Sequence, residues 1–129
     1  MTMAVDMDRL LDQDMLAFYP VSGEFDVEAL AAGIAGIDYS FRDETRPERF
    51  VLAPRADTRD VYAAARRADP GSPFPMQVNV EVHADVVMVW PAIFSPELRA
   101  LSQRVVEWLL SVTPCRVEND FDTDLGGSE

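Results

Sequence analysis

The stretch Met76-Gln77-Val78-Asn79-Val80-Glu81-Val82-His83, then Ala84-Asp85, then Val86-Val87-Met88-Val89-Trp90 decides the fold. Its first part alternates apolar and polar residues. Successive side chains of a strand point to opposite faces, so this is the pattern of a half-buried strand. Ala84-Asp85 makes a tight connection, and Val86 to Trp90 returns. The pair predicts a β-hairpin, although the Asn-Gly or Asp-Gly turn signal is missing. With Ala84-Asp85 in the turn, Val82 faces Val87 and Val80 faces Val89 on the core side. His83, Glu81 and Asn79 then meet Val86, Met88 and Trp90 on the other face. The returning strand is therefore apolar on both faces.

Toward the N-terminus, Arg49 to Ala53 reads as a strand, reached through a turn at Asp43 to Pro47. Ile37, Tyr39 and Phe41 alternate with Asp38, Ser40 and Arg42 in the strand pattern. Asp26 is an N-cap residue. Val27, Leu30, Ala31 and Ile34 follow it as one apolar helical stripe, and Gly36 is the stop. Asp14 to Tyr19 reads as the first strand, closed by Pro20 and Gly23; the competing reading makes Met7 to Leu16 helical through Met7, Leu10, Leu11 and Met15. Between the third strand and the hairpin, Asp57 or Thr58 caps a helix through Ala68, and Pro70-Gly71 stops it. Beyond the hairpin, Ser95-Pro96 supplies an N-cap with proline at the first helical position. Leu98, Leu101, Val105, Trp108, Leu109 and Val112 line one face of that helix, and Thr113-Pro114 ends it.

The order β-α-β-β-α-β, then β-α, predicts an α+β fold. The first six elements match a ferredoxin-like (split βαβ) antiparallel sheet, extended by a fifth, edge strand and a C-terminal amphipathic helix. Residues 1–129 are expected to form a single domain. Residues 1–13 form an acidic N-terminal segment in this reading, and 114–129 an acidic C-terminal tail.

The chain has 129 residues, 11 basic and 23 acidic, with a formal net charge of −12. That charge argues against nucleic acid, whose phosphates it would repel. Every basic residue is arginine. With the many Ala, Val, Asp and Pro, this looks like the coding bias of a GC-rich bacterial genome. A salt-adapted source is the alternative, and would make the acidity a matter of hydration rather than of partners. One cysteine, Cys115, cannot form an intramolecular disulfide, and a reducing, cytoplasmic compartment is expected. The longest apolar run, Val86 to Phe94, contains Pro91 and is too short for a membrane span, which needs about 20 residues.

The inventory for chemistry is thin. Glu81 and His83 lie two apart on a strand and share a face. A carboxylate beside an imidazole can orient a general base, so these two form the alternative polar site. The plainer reading is a solvated face near a hairpin tip. Cys115 reads as a packed, inert thiol. One His and one Cys cannot make a Cys/His zinc site. Asp120-Phe121-Asp122-Thr123-Asp124 begins like a calcium loop. Leu125 stands where that loop needs glycine, and the twelfth-position glutamate is missing. No Gly-rich phosphate loop appears, and Arg66-Arg67 reads as a helix C-terminus complementing the dipole. No metal and no cofactor are therefore expected.

What remains is apolar surface in an acidic exterior. A long apolar edge strand is a pairing hazard unless something covers it. Either the last helix folds over Val86, Met88 and Trp90, or another chain does. The function expected is a non-enzymatic protein-protein interaction module, a homodimer or the binder of a basic protein. Val86, Met88, Trp90 and Phe94 are the expected contact residues. In size, charge and element order the chain resembles two kinds of partner protein, the bacterial secretion chaperones and the immunity proteins that block basic toxins. Its strand ahead of the first helix departs from the chaperone order. The competing expectation is a small-molecule or enzymatic dimer, with an aromatic pocket drawing on Tyr19, Tyr39, Phe41, Phe74, Trp90 or Trp108 and with Glu81 and His83 as its polar groups.

Overall fold

A computed structural model describes residues 6–37, 39–42, 46–53, 78–93, 95–119 and 123–127. The elements run α1 (Met7–Leu11), β1 (Leu16–Pro20), α2 (Val27–Ala35), β2 (Tyr39–Arg42), β3 (Arg49–Ala53), β4 (Val78–Val82), β5 (Val87–Trp90), α3 (Pro96–Val112), β6 (Cys115–Asn119) and β7 (Asp124–Gly127). This is the α+β class that the sequence implies. The helix expected from Asp57 or Thr58 to Ala68 lies outside the described residues, as does Phe94.

Local signals place the helices. The Asp26 side chain accepts from Ala29 N at 3.1 Å, and the Ser95 hydroxyl accepts from Leu98 N at 3.2 Å. Each satisfies one of the first-turn N–H groups that a helix cannot bond internally. α2 buries Leu30, Ala31 and Ile34. α3 buries a wider stripe than expected, adding Ser102, Val106 and Leu110, whereas Val112 is exposed at 49%. The alternative reading of the N-terminus holds in part: Met7–Leu11 is a helical turn with Leu10 and Leu11 buried. An Arg99–Asp8 ion pair links it to α3.

The sheet has seven strands in the order β2-β3-β4-β5-β1-β6-β7, and every described pairing is antiparallel. The β4–β5 hairpin has the register read from the sequence, Val82 opposite Val87 and Val80 opposite Val89. Three expectations are corrected. A split βαβ unit seats its first strand between the third and the fourth; here β1 lies between β5 and β6. The fifth strand is not an edge, because β4 and β1 flank it. The expected acidic tail contributes β6 and β7. These corrections share one cause. The apolar β5 has two hydrogen-bonding sides to satisfy, and burying it between strands removes the liability of an open apolar edge. β1 fills its second side. β6 then fills the far side of β1, with Cys115 and Val117 inward and Arg116 exposed.

The main apolar cluster lies on one face of the sheet, and Ala17 and Val51 of the opposite face are buried as well. Leu16, Phe18, Phe50, Leu52, Val78, Val80, Val82, Val87, Val89 and Val117 join the inward residues of the helices in one apolar cluster. α2 packs against β2 and β4, and α3 against β3 and β4. α3 thus lies on the side of the sheet to which Val87 and Val89 of β5 point, not the side that carries Met88 and Trp90.

Candidate functional site

The face of the sheet opposite α2 and α3 carries the residues with chemistry. The antiparallel registers place Arg49, Glu81, Met88, Ala17 and Glu118 in one row across β3, β4, β5, β1 and β6. Beside it stands a shorter row, Val51, Asn79 and Trp90. Strand alternation alone produces both rows once the strand order is set.

Glu81 anchors one end of the first row. It is 6% exposed, and it accepts from Arg46 Nη2 at 3.0 Å and Arg49 Nη2 at 3.4 Å. His83 Nε2 lies 3.1 Å from the same Oε1 that Arg46 bonds. A buried carboxylate is costly unless paired, and here two guanidinium groups and an imidazole surround it. Arg46 also bonds Glu48 at 3.2 Å. A hydrogen bond from its own backbone holds the Glu48 carboxyl below its usual range, with Arg46 acting in the same direction. The Arg49 side chain is only 11% exposed. Its guanidinium lies 5.7 Å from the centre of the Trp90 ring, a cation–π contact. Among the described residues its Nε is buried with no hydrogen-bond partner.

The other end of the row is also ionic. Arg116 bonds Glu118 at 3.0 Å and stands 5.6 Å from the centre of the Tyr19 ring. Between the two ends lie Met88 and Trp90, both half-buried, with Ala17 buried. Val86 is half-buried as well. The expected contact residues Val86, Met88 and Trp90 and the alternative polar pair Glu81 and His83 therefore occupy one face and are not rival sites. Trp108 lies on the other side of the sheet, on α3 against Gly33, so no single aromatic pocket draws on both tryptophans.

Sequence reading missed Arg46 and Arg49. The signal for Arg49 was present, as the polar position that begins the Phe50-Val51-Leu52 run. Its partner lies 32 residues away, and that of Arg46 lies 35 away, so only the β3–β4 pairing joins them.

Cys115 is buried, and burial pushes its thiol up to about 11. That environment suits an inert packing residue and not a nucleophile. Among the described residues no group of three or more His, Cys, Asp or Glu is placed to hold a metal ion. Among them, too, no helix is long and apolar enough to cross a membrane. No family model, no curated protein and no solved structure matches the chain.

Proposed function

We propose that this chain is a non-enzymatic, acidic protein-interaction module that meets another chain across the Met88–Trp90 face of its sheet. The observation that carries the reading is the row Arg49–Glu81–Met88–Ala17–Glu118, apolar in the middle and ionic at both ends. An apolar centre with a polar rim is the anatomy of a protein interface, and Trp, Tyr, Met and Arg are the residue types enriched there. Arg49 on Trp90 and Arg116 on Tyr19 hold two aromatic rings in place before any partner arrives. Rings already fixed lose little rotamer entropy on binding. The net charge of −12 adds long-range attraction for a basic partner. A second copy of the chain is the other occupant this face suits.

The test is light scattering over a range of protein concentrations. The native chain is expected to exceed the monomer mass of 14.4 kDa, and Met88→Glu to return it to that mass with little change in Tm. A native chain that neither self-associates nor binds a basic partner, or a Met88→Glu chain that assembles normally but melts early, would overturn the reading.

A second reading, a small-molecule or enzymatic site, draws on the Glu81–His83 contact at 3.1 Å. Against it, the charge of Glu81 is already shared with two arginines, so the carboxylate serves the guanidinium groups as well as the imidazole. Loss of ligand binding in a folded His83→Ala chain would favour this second reading.

A further inference from the structure

Strand β2 ends the sheet. Among the described residues it pairs with β3 alone, and no other described strand lies along its outer side. An open edge is a template on which another extended chain can add. Next to this edge, helix α2 leaves an open cleft of about 370 Å3. Ala31, Ala32 and Ala35 of α2 form one wall, and Ser40 and Phe50 of the sheet line it too. Alanines on the helix leave the room that larger side chains would have filled.

Three polar groups line this cleft, and they differ in their commitments. Arg42 is engaged: its Nε donates to the Pro47 carbonyl, and its guanidinium lies 5.1 Å from the centre of the Phe50 ring. The Ser40 hydroxyl is buried and has no hydrogen-bond partner among the described residues. A buried hydroxyl without a partner costs free energy that an incoming donor or acceptor would recover. Glu28 lines the same cleft on the exposed side of α2, and among the described residues no hydrogen bond or ion pair engages it.

We propose that β2 and this cleft form a groove for an extended, basic segment of a partner protein. The segment adds as a further strand along β2 and turns one face of alternate side chains to the cleft, apolar ones against the alanines and a cationic one against Glu28. This inference rests on the reading of the chain as an interaction module and names a second contact surface for it. The occupant is basic on grounds of charge. The chain carries −12, so a second copy brings like charge to the groove, whereas a basic segment is attracted from a distance. The occupant is extended because main-chain groups of β2 supply the pairing and the cleft admits only the side chains on one face.

The probe is a short, blocked, fluorescent peptide that carries valine and arginine at alternate positions, those of one strand face, with threonine between them, titrated into the full chain and read by anisotropy. Three comparisons decide. Methylating alternate backbone nitrogens of the peptide removes strand donors without removing charge. Replacing its arginines by glutamates reverses the charge. Ala35→Trp fills the cleft from an exposed helix position, with Tm as the check that the fold is intact. Each is expected to weaken binding by about tenfold or more. Amides of residues 39–42 are expected to exchange more slowly when the peptide is present.

Equal binding of the methylated peptide would mean adsorption by charge, and would overturn the groove. So would indifference to Ala35→Trp, or a dimer of the native chain that Ala35→Trp dissolves. If Met88→Glu abolishes peptide binding while Ala35→Trp is silent, the groove fails and the interaction module stands. A chain that neither self-associates nor binds the peptide removes both.

Discussion

The indole of Trp108 lies so tightly on Gly33 that a Cβ added to the glycine would overlap the ring at Cζ2. Here α2 and α3 touch with nothing but a hydrogen between helix backbone and ring. The glycine is there for close approach and not for an unusual backbone angle.

Gly33→Ala therefore sets two effects against each other. Alanine favours a helix interior by about 1 kcal/mol over glycine. Overpacking against a rigid ring costs about 1–3 kcal/mol. The variant is expected to lose about 1 kcal/mol net in urea unfolding. In a Trp108→Leu background the ring is gone, and the same alanine should become stabilising. A change of sign between the two backgrounds is the signature to look for.

Ser102 is fully buried on α3, and its hydroxyl accepts from Ala92 N at 3.0 Å and donates to Ala92 O at 2.9 Å. It acts as a one-residue strand partner for the segment leaving β5. Ser102→Ala strands both backbone groups of Ala92, and an unsatisfied buried group costs about 1–3 kcal/mol. A drop in Tm with unchanged far-UV circular dichroism is expected. A neutral result would mean that water reaches Ala92.

Removing the charge of Glu81 leaves the buried Arg49 without its counterion. Breaking one side of a buried pair costs about 3–5 kcal/mol, and replacing both partners by apolar residues is often neutral. Glu81→Gln should destabilise the chain strongly. Glu81→Met combined with Arg49→Met should recover most of the loss. If the single and double variants are equally unstable, Glu81 matters for its shape and not for its charge.

Cys115 is predicted to resist alkylation at pH 8 until denaturant exposes it. Its thiol is raised from 9.0 to about 11 by burial, so the folded state holds the proton more tightly than the unfolded state. The stability from this group is complete below about pH 9 and is lost as pH rises toward about 11. A Cys115→Ala chain should show a flatter stability profile across that interval.

Much of the secondary structure was legible from residues a few positions apart. Asp26 and Ser95-Pro96 mark helix starts because capping is a local matter of side chain and neighbouring N–H. The hairpin register followed from alternation on both sides of Ala84-Asp85. Even β6 left its mark, in the alternation of Cys115 and Val117 with Arg116 and Glu118, although the surrounding acidic residues suggested a tail.

The sequence alone determined which segments are apolar, on which face, and where the helices begin, since those depend on contacts within one turn or one hairpin. Tertiary structure alone decided that β1 sits beside β5, that β5 is central, and that Arg46 and Arg49 converge on Glu81. Those are choices among strands that all present similar backbone edges. Hydrogen-bonding groups carry no label of their partner, so only the packing of the whole sheet against its helices selects one order.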